Sequence, residues 1–180
     1  MNKTTTTLLA LAYAYAFAYF GPVGIKFPAL NVLPADAGQA APQAAPVFRL
    51  PGAAGGEIDL AAYAGKPVMF MFFTENCPYC RTAGPALEEF HKAYGPKGLA
   101  VLGICIEREK EAALNFARDL GVTFPLAYDG REPYRAYRAR GVPYIYLIDA
   151  KGGLYDVWEG YDESYLPSMK AATEKLLSAK

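Results

Sequence analysis

The sequence predicts an α/β fold in which helices flank a central mixed sheet. Three observations carry this. Two apolar runs, VMFMFFT (residues 68–74) and LAVLGICIE (residues 99–107), are too short for buried helices and read as strands covered on both faces. Stretches with apolar residues at helical spacing alternate with these and with shorter strand-like runs. Gly-Pro and Gly-Gly pairs punctuate the boundaries. Strands alternating with helices pack as sheet against helix.

The elements follow in order. VFRL and EIDL, either side of an AAGG turn, read as short strands. After the strand at 68–74, a helix should begin at CPYC, residues 77–80, and run to about Tyr94, where Gly95-Pro96 stops it. After the strand at 99–107, residues 109–120 carry Ala112, Ala113, Phe116 and Leu120 at helical spacing, and Gly121 ends the helix. Residues 124–128 read as a short strand, 132–140 as a short helix and YIYLID, residues 144–149, as a strand. Gly152-Gly153 turns the chain into LYDVWEG, and residues 163–177 close it with an amphipathic helix.

Composition bounds the function. The chain has 180 residues, 53% hydrophobic and 20% charged, as in an ordinary globular protein. Eighteen basic residues balance 18 acidic ones, so no basic surplus exists to neutralise phosphates, and nucleic acid is set aside as a partner. Three cysteines are too few for a disulfide scaffold and leave at least one outside any intramolecular pair.

The N-terminus stands apart. Lys3 precedes a 13-residue apolar run, Leu8 to Phe20, which fits a signal peptide, and Ala35-Asp36-Ala37 offers a cleavage site. Leu8 to Ile25 also fits an uncleaved 18-residue membrane anchor stopped by Lys26. A buried helix is the third reading. The first two both put the folded domain outside the cytoplasm. Residues 1–37 are thus expected to be a signal peptide or anchor, 38–46 an Ala/Pro-rich linker, and 47–180 one domain.

The chemistry centres on Cys77 and Cys80. They sit where a buried strand gives way to a helix. The first turn of a helix presents unsatisfied N–H groups and a positive dipole end, which favour a thiolate on Cys77. Pro78 fits just inside the helix start, where its missing N–H costs nothing. Residues three apart on a helical turn lie within disulfide reach. Cys77 is then the exposed, attacking thiol and Cys80 the shielded, resolving one. Tyr79, between them, should be exposed and able to touch a substrate.

Other chemistries weigh less. A structural zinc site needs four ligands, and the candidates are Cys77, Cys80, Cys105 and His91. On the same helix His91 lies roughly 16 Å from Cys80, too far to share a metal. So small a disulfide loop restrains the unfolded chain little, which argues against a purely structural bridge. Cys105 shares a strand face with Val101 and Gly103 and reads as a core residue. His91 and the arginines Arg131, Arg135, Arg138 and Arg140 read as solvated helix faces, the arginines able to steer an acidic partner.

From GKPVMFMFFTENCPYCRTAGPALEEF to RARGVPYIYLIDAKGGLYDVWEG the chain resembles the thioredoxin superfamily, above all the TlpA/ResA-like branch of bacterial extracytoplasmic thiol-disulfide proteins. The CxxC, Pro85 in the first helix, and Pro143 carry the likeness. The resemblance implies a thioredoxin-like fold with an extra strand and helix between the CxxC helix and the strand that follows Pro143. It implies that Pro143 is a cis-proline beside the active site and that Val142 offers backbone hydrogen bonds to an extended substrate. It also implies exchange with protein disulfide or thiol substrates, without a cofactor or metal. The direction it favours is that of a reductant, recharged by a membrane-embedded electron donor and serving exported proteins such as apocytochromes c.

Departures sharpen the expectation. Asn76 replaces the tryptophan that usually precedes the first cysteine, and Met71 replaces the buried aspartate of thioredoxins. Ala83 stands where some ResA-like proteins carry an acidic residue. Glu75 and Glu107, each expected at a strand end, are the candidate proton acceptors for Cys80. Two alternatives remain. Thr74-Glu75-Asn76-Cys77 matches the T-x-x-C of peroxiredoxins, which would make Cys77 a peroxidase cysteine, although Phe70 stands where their proline belongs. A non-catalytic binding module of the same fold is the other.

Overall fold

A computed structural model describes residues 43–179. The expected signal or anchor, with its apolar run at 8–25, lies outside the described residues. Among the described residues, no helix is long and apolar enough to cross a membrane. In chain order the elements are β1 (Arg49–Pro51), β2 (Glu57–Asp59), β3 (Val68–Phe73), α1 (Pro78–Tyr94), β4 (Ala100–Cys105), α2 (Lys110–Leu120), β5 (Leu126–Ala127), α3 (Arg131–Ala136), β6 (Tyr144–Ile148), β7 (Leu154–Glu159) and α4 (Leu166–Ser178).

The five-stranded sheet has the order β5-β4-β3-β6-β7. β3 pairs parallel with β4 and antiparallel with β6, so the sheet is mixed. All six residues of β3 are buried. Because side chains alternate across a strand, the run divides between two cores. Met69, Met71 and Phe73 join Leu87, Phe116 and Met169, which come from α1, α2 and α4. Val68, Phe70 and Phe72 join Leu50, Ile58, Tyr137 and Tyr146 on the other face. Truncating one such phenylalanine typically costs about 3–5 kcal/mol. The continuous apolar run is thus the signature of a strand with helices on one face and a hairpin plus α3 on the other.

The β1–β2 hairpin closes over the β5 edge, where Ala53 N–H donates to Leu126 O at 2.8 Å and Tyr128 N–H to Pro51 O at 3.1 Å. That leaves no bare ladder at this end. At the far pole, Leu154 N–H donates to Gln43 O and Ala45 N–H to Gly152 O, both at 2.8 Å, so residues 43–45 pair with the β6–β7 turn.

One element is shorter than its pattern. The helix expected over 132–140 ends at Ala136 because Arg138 adopts a left-handed φ of 54°. Ala139 N–H then closes the turn on Tyr134 O at 3.1 Å. No glycine or asparagine marks this reversal, and a non-glycine residue there costs about 1–2 kcal/mol. Packing supplies the compensation. The Tyr137 ring sits 5.0 Å from both Phe70 and Tyr146, and Tyr146 O–H donates to Tyr137 O at 2.8 Å. These contacts hold the segment leading to Val142 and Pro143 against the end of the sheet.

Candidate active site

Cys77 is the N-cap of α1, with extended backbone (φ −72°, ψ 115°), and Pro78 follows inside the first turn. Cys77 and Cys80 are joined by a disulfide, with Cα atoms 5.2 Å apart. The Cys80 N–H donates to Cys77 Sγ at 3.2 Å. An unsatisfied donor of the helix start is therefore aimed at the sulfur, where it would stabilise a thiolate once the bond is reduced. Cys80 is fully buried, Cys77 half-buried, and Tyr79 67% exposed. The two sulfurs therefore differ in access to solvent.

The second wall comes from 65 residues later in the chain. The Val142–Pro143 peptide bond is cis, and Val142 O lies 3.4 Å from Cys77 Sγ. Among the described residues, no backbone hydrogen bond engages Val142, whereas Pro143 O accepts Gly160 N–H at 2.9 Å. Val142 is thus a half-buried residue beside the sulfur whose N–H meets no backbone acceptor among the described residues.

Glu75 and Glu107 come together through the Glu75 backbone. The Glu75 N–H donates to Glu107 Oε2 at 2.8 Å, and Asn115 Nδ2 donates to Glu75 Oε1 at 3.0 Å. The Cys105 thiol donates to the same Glu107 oxygen at 3.5 Å. Burial, first, and the nearby carboxylates Glu107 and Glu75 push the Cys105 pKa up to about 12. Cys105 is therefore a protonated core donor at neutral pH. Met71 and Ala83, the positions that are apolar here, are fully buried in the same core as Cys80.

Sequence reasoning missed Asn115 and Arg81. Asn115 reaches Glu75 from α2, and Arg81 faces Glu75 O at 3.5 Å and pairs with Asp119 at 3.5 Å. Neither carries a local signal, because each acts on a partner set by helix packing. Glu88, also unmarked in sequence, is buried in α1 and accepts both the N–H and the hydroxyl of Thr123 at 2.7 Å. It ties the CxxC helix to the loop after α2.

Known proteins resemble this chain in sequence and fold. The thioredoxin-like protein YneN of Bacillus subtilis is 31% identical over 121 residues, spanning 66% of this chain and 71% of that one. The thiol-disulfide oxidoreductase ResA of Geobacillus kaustophilus is 30% identical over 117 residues, spanning 64% and 67%. A Chlorobium tepidum protein described as a thiol:disulfide interchange protein DsbE superposes with a TM-score of 0.71 at 25% identity, covering 76% of this chain and 96% of its own. The sequence profile of the AhpC/TSA family matches residues 41–157, more than half the chain. With a mixed sheet, a CxxC at the start of α1 and relatives of this kind, the chain belongs to the AhpC/TSA family of thioredoxin-like proteins.

Proposed function

We propose that this protein is an extracytoplasmic thiol-disulfide oxidoreductase that reduces disulfides of protein partners. The observation that carries the reading is the Cys77 sulfur, which receives the Cys80 N–H at 3.2 Å and faces the Val142 carbonyl at 3.4 Å. The N–H favours a thiolate, and the Val142 backbone alongside offers an edge for an extended chain.

In the reduced protein the Cys77 thiolate attacks one sulfur of the partner's disulfide. A Cys77–partner disulfide forms, and the partner's other sulfur leaves as a thiolate and takes up a proton. Cys80, its proton passed to the Glu75–Glu107 carboxylates, then attacks Cys77 Sγ. The Cys77–Cys80 bond forms, and the partner's first sulfur leaves and is protonated. Two electrons have moved to the partner, and the protein holds its own disulfide. Tyr79 and Val142 contact the partner, and Pro143 shapes that edge. A two-electron donor of the membrane restores the dithiol. The relatives named ResA and DsbE, and the apolar run at 8–25, support a site of action outside the cytoplasm.

The test is the equilibrium potential of the Cys77–Cys80 couple in a Cys105→Ser variant, titrated against glutathione or dithiothreitol. The expected value lies near thioredoxin's, about −270 mV. A value near DsbA's, about −120 mV, would make the protein a disulfide donor instead. Absence of a reversible two-electron couple, with peroxide consumption by the reduced protein, would favour a Cys77 peroxidase.

A further inference from the structure

Beside the cis peptide lies an open groove of about 230 Å³ lined by Arg140, Val142, Pro143, Tyr144 and Glu159, among others. It is continuous with the edge beside the sulfur, because Val142 borders both. Its polar groups are unequal. Glu159 stands directly opposite Tyr144 in the β6–β7 ladder, and its carboxylate faces the Tyr144 hydroxyl. Burial, first, and that carboxylate push the Tyr144 pKa up to about 12, so the hydroxyl stays protonated beside Glu159. Glu159 keeps its negative charge and has the Tyr144 hydroxyl as its neighbour.

Arg140, which also lines the groove, is a cation without an ion-pair partner among the described residues. It is exposed, and among the described residues no carboxylate lies within ion-pair distance of it or of Arg131, Arg135 and Arg138. The stretch 129–142 carries those four arginines against only Asp129 and Glu132. A guanidinium with free donors at the mouth of a groove presents a fork that matches a carboxylate.

We infer that this groove is a specificity site in which Arg140 selects partners carrying an aspartate or glutamate next to the reactive cysteine. The inference rests on the disulfide-exchange reading and adds to it a rule for which cysteines react. A chain laid along Val142 with its sulfur at Cys77 places its neighbouring side chains over the groove. An acidic one meets Arg140, and a basic one is repelled by it. The contact is rim-exposed, so it acts on the encounter rate and weakens with salt.

The test uses two synthetic peptides of one sequence, each with a single cysteine held as a mixed disulfide with 2-mercaptoethanol. One has glutamate on both sides of the cysteine and the other lysine. Rate constants for reduction by the dithiol protein are divided by those of dithiothreitol with the same peptide, which removes differences in intrinsic reactivity. The wild-type protein is expected to favour the glutamate peptide about three- to fivefold at low salt. The ratio should fall towards one in R140Q and invert in R140E. A ratio is internal to each variant, so a general loss of activity cancels. A wild-type ratio near one, with both peptides and the uncharged hydroxyethyl disulfide reduced, overturns the inference and leaves the exchange reading standing. A glutamate preference that persists in R140E also overturns it. If no disulfide, hydroxyethyl disulfide included, is reduced, the exchange reading fails and takes this inference with it.

Discussion

Glu107 accepts the backbone N–H of Glu75 at 2.8 Å, tying the end of β4 to the loop that delivers Cys77. The same oxygen takes the Cys105 thiol, so one carboxylate holds a loop and a core residue together. Glu107→Ala strips a half-buried N–H of its acceptor and is expected to cost about 1–3 kcal/mol in urea unfolding. Glu107→Gln keeps an oxygen for that N–H but cannot accept a proton. It should unfold near the wild-type midpoint while slowing resolution of the Cys77 mixed disulfide at neutral pH by about tenfold or more. Stopped-flow rates across pH decide this. Unchanged profiles in both E75Q and E107Q would leave the network a purely structural clamp.

Cys105 should be inert in the native state. With its thiol pKa pushed up to about 12, chiefly by burial, almost none is thiolate at pH 8. Iodoacetamide treatment of the reduced native protein is expected to label Cys77 and spare Cys105, which should react only after denaturation. Peptide mass mapping reads the result. Cys105→Ala should leave the exchange rate within about twofold.

Glu88 makes stability depend on acid pH. Its burial raises the carboxyl pKa, but the Thr123 N–H and hydroxyl and the Lys92 ammonium outweigh this and hold it below its ordinary 4.5. A depressed folded value means the stabilisation is complete above about pH 4.5 and is lost as pH falls through the folded value. Thermal melts should therefore show the gap between wild type and Glu88→Gln closing on acidification below pH 4.5. At pH 7 the variant should be less stable by about 1–3 kcal/mol. A gap that stays constant down to pH 3 would contradict the assignment.

Tyr79 presents an aromatic ring to solvent between the two cysteines, at 67% exposure. Replacing it should barely affect stability. Tyr79→Ala is expected to lower kcat/KM for a protein disulfide by about fivefold, the scale of a modest interface residue. Reduction of hydroxyethyl disulfide, too small to touch the ring and the groove together, should change less. Equal losses on both substrates would mean that the ring tunes the cysteines and does not bind the partner.

The sequence alone determined the parts of this protein that depend on short-range forces. The bounds of α1 follow from Pro78 inside its first turn and Gly95-Pro96 at its end, and its first turn points at Cys77 because of the strand-to-helix junction. The apolar run of β3 announced a strand covered on both sides, since period-two alternation needs two cores to bury every residue. Tertiary structure decided what joins across the chain. Val142 meets Cys77 over 65 residues, and Glu75 meets Glu107 over 32, through strand order and register that no local pattern encodes. The reversal at Arg138 belongs to the same class. It goes against the residue's own preference and is held by Tyr137 and Tyr146, so α3 ends where the aromatic core requires. Local sterics and dipoles act within about one turn, whereas each of these contacts waits on the sheet being assembled.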